Sequence, residues 1–413
     1  MKKILVLSYH DHPAEGHGLS RYRAIKAAGY DAFFVSLVSE YIEDTPAYFI
    51  DFHKKWTPAY LSYKIRRKLK MIFSPVVNDT DEYCFLNSAN YYVGDAKRIL
   101  SKIPITPDVI ILGWIDYFIS PKVIYDLYQA THAKIVIPLV DPHILGGGCH
   151  YPCKCHQYET GCMSCPALKN KKIASKFYNE KIKYLQDIPL ILVGTSYDLK
   201  RAKKVPFLQG KEMISTIGTP KIPFVKSQSE ARKEFGIDYG DFVVLCGAYS
   251  LKDKRKGIKY LLSALEIFCK NRDNKRPVTL LLLGDGIVDI ACGDGIRIVT
   301  PGFLKLDQLF TAYYAADVFV SPSVDDSGPY MVNYSIACGT PVISFPIGIA
   351  LDLVKHRETG YLAQFLDTDD MARGLMYFYS LSKTELNSFS VNCIKRMDKL
   401  RRNNVPWFLK VLE

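Results

Sequence analysis

Short apolar runs of strand length recur in two series along this chain, each run followed by a helix-compatible stretch, and that alternation restricts the fold more than any single motif. Ile4 to Ser8, Ala32 to Val38, Val109 to Trp114, Ile135 to Val140 and Leu190 to Val193 form the first series. Phe242 to Cys246, Val278 to Leu283, Ile296 to Val299, Val318 to Ser321 and Val342 to Phe345 form the second. Runs of this kind, separated by helical stretches, predict parallel sheets covered by helices. Two doubly wound α/β halves follow. At 413 residues the chain exceeds one typical core, so two domains of about 200 residues each are expected, and 48% hydrophobic content suffices for both. Ile217 to Lys226 carries two prolines and no periodicity, which marks a linker. The expected boundaries are an N-terminal domain over 1–212 with a Cys-rich insert at 146–166, a linker at 213–228, a C-terminal domain over 229–395 and a final helical segment at 396–413.

Two loops of the second half carry phosphate-binding chemistry. After the strand Asp317 to Ser321 comes an acidic Gly-Pro loop, with Ser327 or Gly328 as helix cap and Pro329 on the first turn of a helix reaching Cys338. A helix start presents free backbone N–H groups and the positive end of its dipole, which suits a phosphate or diphosphate. The second loop, Gly247 to Gly257, follows a strand and precedes an amphipathic helix with Ile258, Leu261, Leu262, Leu265 and Phe268 at helical spacing. It delivers Arg255 and Lys256 to the carboxyl edge of a parallel sheet, where α/β proteins bind ligands, and a guanidinium beside an ammonium is what a diphosphate needs. The plain alternatives are an ordinary αβ unit for the first loop and a solvated basic loop for the second.

The acidic Gly-Pro loop, its helix, Ala337-Cys-Gly-Thr-Pro-Val-Ile-Ser344 and His356-Arg-Glu-Thr-Gly-Tyr-Leu362 together resemble the donor-site half of glycosyltransferase family 4. Arg255-Lys256-Gly257 resembles that family's donor motif. The resemblance implies the GT-B fold: two Rossmann-like domains facing across a cleft, a nucleotide-sugar held by the C-terminal one and the acceptor by the N-terminal one. It implies that Gly247, Ser327, Gly328, Pro329, Tyr330, Asn333 and Tyr334 surround the donor, that Arg255 and Lys256 stabilise the departing diphosphate, and that Asp326 orients the donor sugar. It also implies a last helix crossing back to the N-terminal domain, with Trp407, Phe408 and Leu409 as its apolar contact.

The chain departs from the family pattern in places. Ala248 stands where the family often has arginine, and the family's two glutamates eight positions apart are here Asp326 and Tyr334. A tyrosine cannot accept two ribose hydrogen bonds as a carboxylate can, and Asn333 substitutes only if the helix rotates. On the acceptor side, Gly16-His-Gly18 is similar to the family's glycine-rich loop, with a plain tight turn as the alternative. Val140-Asp141 replaces the usual His-Asp, so the histidine's role is either lost or taken by His143, and Asp141 with Gly18 shapes the acceptor side. The departures also allow a member that has lost activity.

Between Gly146 and Pro166 lie five of the eleven cysteines. Cys149, Cys155, Cys162 and Cys165 could close a tetrahedral, structural zinc site, with Cys153, His150 and His156 as spare ligands; disulfides or free thiols packing a loop are the alternative. The Gly-Gly-Cys-His-Tyr … Cys-x-x-Cys-Pro string resembles an insert in one branch of family 4 that builds bacterial surface polysaccharides. No metal is expected at the chemistry.

The net charge of +12 favours a polyanionic partner: nucleic acid, an anionic membrane face or phosphorylated substrates. Trp56 to Phe73 places Leu61, Ile65, Leu69 and Ile72 on one helical face and cations on the other, which suits an anionic membrane or, equally, a domain helix with a charged outer face. MKKILVLSYHDH reads as a first strand rather than a signal peptide, and no membrane-span-length apolar run exists, so a cytoplasmic protein, peripheral on the inner face of the plasma membrane, is expected.

The expected function is retaining transfer of a sugar from a nucleotide-sugar to a lipid-linked saccharide acceptor in surface polysaccharide synthesis, with no nucleic acid as partner. The alternatives are a nucleotide-sugar epimerase or phosphorylase of the same fold, and a non-enzymatic zinc or nucleic-acid-binding protein.

Overall fold

The computed structural model describes residues 2–12, 18–42, 46–72, 84–85, 94–273, 276–286, 295–328, 330–403 and 405–412. The chain forms two compact units, one comprising Met1–Gly194, Asp198–Thr216 and Val405–Glu413, the other Thr195–Tyr197 and Ile217–Asn404.

The first unit is built on β1 (Lys3–His10), β2 (Asp31–Ser39), β3 (Tyr48–Asp51), β4 (Cys84–Phe85), β5 (Val109–Leu112), β6 (Lys134–Pro138), β7 (Cys149–Tyr151), β8 (Leu190–Gly194) and β9 (Glu212–Ser215). Seven of these make one parallel sheet in the order β3-β2-β1-β5-β6-β8-β9, while β4 and β7 form a small antiparallel pair with Phe85 opposite Cys149. Successive side chains of β1 go to opposite faces: Leu5 and Leu7 join Val35 and Leu37 in one buried layer, Ile4 and Val6 join Phe34 and Ile111 in another. That second layer also takes in Phe408, Val411 and Leu412 of the short helix Trp407–Leu412, and Lys134 Nζ donates to the Val411 carbonyl at 3.1 Å.

The second unit carries β10 (Phe242–Ser250), β11 (Val278–Asp285), β12 (Ile296–Gly302), β13 (Val318–Ser321), β14 (Val342–Ser344) and β15 (Gly360–Leu362), all parallel in the order β12-β11-β10-β13-β14-β15. Helix Ile258–Asn271 buries Ile258, Leu261, Leu265 and Phe268, the stripe its spacing predicts.

Each sheet reverses its strand order once, between β1 and β5 and between β10 and β13. Crevices at the carboxyl ends of strands flanking such a reversal are where open α/β sheets bind ligands. Arg255, Lys256 and Asp326 follow β10 and β13, and Gly18 follows β1, while Asp141 and His143 follow β6, the neighbour of β5.

Two readings of the sequence need correction. The stretch 213–228 is not linker throughout, because Glu212–Ser215 pairs with β8 as an edge strand. With only Met213 and Ile214 apolar, it had no pattern by which to recognise it. The terminal segment 396–413 is not one helix either: Lys383–Asn403 belongs to the second unit, and the chain joins the first from Val405.

Candidate active site

β10 runs past Cys246 to Ser250, and the chain then tightens into a 3-10 turn, Lys254–Lys256, capped by Asp253, whose carboxylate accepts from the Arg255 N–H at 3.0 Å. Gly257 follows at φ +68°, and a Cβ there would stand 1.9 Å from the Pro322 carbonyl oxygen, so only glycine lets this turn lie against the loop after β13. The Val324 N–H donates to the Arg255 carbonyl at 2.9 Å and ties the two loops together.

The cations meet a carboxylate at this junction. Arg255 Nη1 donates to Asp326 Oδ2 at 3.2 Å and to the Asp325 carbonyl at 3.1 Å, and Nη2 lies 3.0 Å from Asp253 Oδ2. Lys256 Nζ bonds the same Asp326 oxygen. Burial alone would push the Asp326 carboxyl up, but the Lys256 and Arg255 charges, with hydrogen bonds from Lys256 and the Gly328 backbone, outweigh it and hold the pKa below the usual carboxylate range. Asp326 is therefore an anionic placeholder on two cations, which a diphosphate would have to displace or share.

Beside it, the Ser327 hydroxyl is buried with no hydrogen-bond partner among the described residues. Tyr330 opens the helix Tyr330–Ala337 and is 37% exposed. Pro329, expected on the first helical turn, lies outside the described residues. Gly247 sits within β10, where a Cβ would meet Leu283 Cβ at 2.9 Å and Met331 Cε at 3.1 Å.

Two expected donor residues are turned elsewhere. Asn333 Nδ2 donates to the Gly218 carbonyl at 2.6 Å and anchors the segment entering the unit. Tyr334 is buried in the core, its ring 5.3 Å from Phe310 and 5.9 Å from Tyr330. Helical phase explains both: the inward face of a short helix wedged between sheet and neighbouring helices must be filled. The sequence reading missed Tyr249 and Phe303, exposed side chains at the carboxyl ends of β10 and β12 whose rings meet edge to face at 5.5 Å. An aromatic directly after a strand-end glycine, as in Gly302-Phe303, was the available signal.

In the first unit, Gly18 opens the helix Gly18–Ala27 so close to β1 that a Cβ would stand 2.6 Å from Ser8 Cβ; Gly16 lies outside the described residues. Asp141 is buried after β6, accepting from Trp114 Nε1 and the His143 backbone N–H, both at 3.0 Å. His150 Nδ1 lies 2.7 Å from Asp141 Oδ2, and His143 Nδ1 lies 3.0 Å from Asp116 Oδ1. Two histidine–carboxylate pairs thus stand side by side, and the sequence reading had named neither Asp116 nor the His150 pairing. Lys181 is buried beneath them, donating to the carbonyls of His143 and Gly146. Burial pulls its ammonium down to about 8, against the pull of Asp116, Cys162, Cys149 and Asp141.

The described cysteines are free thiols, which removes disulfides among them. Cys162 Sγ accepts from the Gly147 N–H at 3.2 Å, Cys155 is hydrogen-bonded to the Gln157 backbone, and Cys165 to those of Ala167 and Leu168. Burial outweighs these N–H groups and raises the pKa of all three thiols, that of Cys162 to about 11. Cys149, Cys155 and Cys162 border a small apolar cavity with Leu145 and Tyr158. Among the described residues, however, the side chains whose ligand atoms converge within 4.8 Å are Asp116, Asp141 and His150, not the cysteines.

Two parallel-sheet α/β units, each with its polar residues at the strand-order reversal, define the fold class as GT-B. Sucrose-phosphate synthase from Thermosynechococcus elongatus aligns over 97% of this chain and 95% of its own, with a TM-score of 0.63 at 16% identity. Anabaena HepE, solved with UDP and glucose, aligns over 97% and 95% with a TM-score of 0.59 at 14% identity. Residues 241–380, which contain Arg255, Lys256 and Asp326, match the family model "Glycosyl transferases group 1". An uncharacterized glycosyltransferase of Methanocaldococcus jannaschii is 30% identical over 128 residues, 29% of this chain and 32% of that protein. A D-inositol 3-phosphate glycosyltransferase of Pseudarthrobacter chlorophenolicus is 24% identical over 191 residues, 44% of this chain and 43% of that protein. The chain thus spans less than half the length of these curated relatives.

Proposed function

We propose that the protein is a glycosyltransferase that moves a sugar from a nucleotide-sugar to a saccharide acceptor with retention of configuration. The observation that carries the reading is the Arg255–Lys256–Asp326 cluster at the β10/β13 reversal, inside the segment that matches the glycosyltransferase model. In the reaction, the bond between the anomeric carbon and the diphosphate oxygen breaks and its electron pair leaves with the diphosphate. The acceptor hydroxyl oxygen bonds the anomeric carbon and its proton passes to the leaving phosphate. Arg255 and Lys256 neutralise the charge that develops, the start of helix Tyr330–Ala337 adds backbone dipoles, and the unpartnered Ser327 hydroxyl is available to the phosphate or sugar. Asp326 holds the two cations in register and orients the sugar.

The test is a thermal-shift and turnover screen against UDP-, GDP- and dTDP-sugars, following release of the nucleoside diphosphate. Stabilisation by one nucleotide class with slow release, lost in Lys256→Ala, is the expected result. No shift with any nucleotide would sink the reading, and turnover with no acceptor and no released diphosphate would favour an epimerase.

We infer further that the acceptor is lipid-linked, placing the enzyme at an anionic membrane face in surface polysaccharide synthesis. In support, the helix Pro58–Ile72 leaves Leu61, Ile65 and Leu69 41%, 59% and 49% exposed along one stripe, with Lys64, Arg66 and Lys68 also exposed and Trp56 87% exposed just before it. The domain-helix alternative put the apolar stripe inside; instead Tyr63 is the buried contact, and Arg67 is hydrogen-bonded to it. Among the described residues no helix is long and apolar enough to cross a membrane. A small phosphorylated acceptor, of the kind named for the D-inositol 3-phosphate relative, is the other outcome an acceptor screen would show. A structural zinc on Cys149, Cys155, Cys162 and Cys165 belongs to the same proposal: burial holds these thiols protonated, so the metal would have to displace their protons, after which the N–H groups on three of the sulfurs would stabilise the thiolates, and binding would require the sulfurs to draw together.

A further inference from the structure

The donor-side loops occupy the carboxyl ends of the second unit's strands, but a strongly cationic cavity lies at their amino ends. This cavity, of about 280 Å³, is lined where β10, β11, β13 and β14 begin, by Arg276, Asp317 and Thr340 among others, together with the first turns of the helix Lys383–Asn403. Four lining residues are cations, Lys226, Arg232, Arg276 and Lys383, and one is an acid, Asp317.

Asp317 is already saturated. Its Oδ2 accepts from Arg232 Nη2 at 2.9 Å, from the Val243 N–H at 2.8 Å and from Arg276 Nη2 at 3.2 Å, and its Oδ1 accepts from Gln228 Nε2 at 3.2 Å. Arg232 alone would balance it. Arg276 is therefore a surplus charge, held at the cavity by the carbonyls of Gly240 and Asp241, both at 3.2 Å. Asp241 gives Arg276 its carbonyl, while its carboxylate accepts from Thr279 Oγ1 at 2.6 Å. Lys226 pairs with Glu234. Lys383 stands over the exposed ring of Tyr239, 3.7 Å from its centroid. The Tyr313 hydroxyl, another lining group, is buried without a hydrogen-bond partner among the described residues. Surplus cations brought from separate elements around a concave pocket are what a small polyanion requires: Arg232 and Arg276 share the one carboxylate of Asp317, which balances a single charge, and Lys383 pairs with no acid among the lining residues.

We propose that this cavity is a second anion site, distinct from the donor site, that takes a small phosphorylated compound through Arg276 and Lys383. The site goes beyond the transferase reading and does not depend on it.

The test is isothermal titration with inorganic pyrophosphate, using wild type, Lys256→Ala, Lys383→Ala, Asn387→Glu and Lys256→Ala/Lys383→Ala, each checked by thermal melting. Asn387, exposed on the cavity side of its helix, brings in a negative charge without touching the buried network. Wild type is expected to bind two pyrophosphates per chain. Lys256→Ala should keep one, Lys383→Ala and Asn387→Glu should each weaken the other by about tenfold or more, and the double variant should bind none. Loss of all binding in Lys256→Ala alone would overturn the second site, as would unchanged binding in both Lys383→Ala and Asn387→Glu. A single wild-type site lost in Lys383→Ala but kept in Lys256→Ala would support this cavity and sink the donor reading.

Discussion

Arg255 Nη1 lies 3.2 Å from Asp326 Oδ2, an oxygen that also receives Lys256. A buried carboxylate thus holds together the two cations on which the proposed transfer depends, and it occupies them when no diphosphate does.

Replacing Asp326 should separate binding from catalysis. Asp326→Asn releases Lys256 and leaves Arg255 paired with Asp253 alone, so the nucleoside diphosphate should bind roughly threefold to tenfold tighter while turnover falls; weaker diphosphate binding would remove the placeholder role. The variant should also lose about 1 to 3 kcal/mol of stability at pH 7, since two partly buried cations are left with less compensation. The folded carboxyl pKa is depressed, so the stability it supplies is complete above the unfolded value of about 4 and is lost as pH falls through the folded one. Melting curves of wild type and variant should therefore converge below about pH 4.

Gly257→Ala tests the junction of the two loops. With φ at +68° and the Pro322 carbonyl oxygen 1.9 Å from where the new methyl would stand, the turn cannot keep its place. Loss of at least about 2 kcal/mol of stability and of donor binding is expected. A variant that melts and binds like wild type would show that the turn is not what seats Arg255.

Metal analysis of purified protein decides the cysteine cluster. One zinc per chain, lost in Cys162→Ser together with Cys165→Ser, is expected, with a lower melting temperature after chelation. Protein free of zinc and indifferent to chelator would leave the loop to its thiol packing and the buried Lys181.

Membrane docking has its own discriminating set. Reversing Lys64, Arg66 and Lys68 to glutamate should lower sedimentation with phosphatidylglycerol vesicles, and Leu61→Ser with Ile65→Ser should lower it at any salt concentration. Arg67 is a different case, because its guanidinium serves Tyr63; its reversal should reduce stability instead. Unchanged binding in both surface sets would end the membrane proposal.

Much of this protein was legible along the chain. Ten of its strands were set out by apolar runs, because burial on both faces of a parallel sheet leaves no room for polar alternation. The phosphate-binding candidates were legible for a similar reason: a cation pair or a Gly-Pro helix start placed after a strand can only emerge at the carboxyl edge of the sheet. Spacing could not tell which face of the short helix Tyr330–Ala337 turns inward, so it did not show that Asn333 bonds the Gly218 carbonyl or that Tyr334 packs in the core. Nor could it tell that Leu61, Ile65 and Leu69 remain in solvent, since periodicity defines a stripe and not what covers it. Contacts between residues distant in sequence were beyond it altogether. Asp326 on Arg255 exists only once the β10/β13 reversal brings two loops together, His143 on Asp116 only once β5 and β6 pair, and His150 on Asp141 only once the loop after β6 folds back, and electrostatic energy depends on those distances in space rather than on separation along the chain.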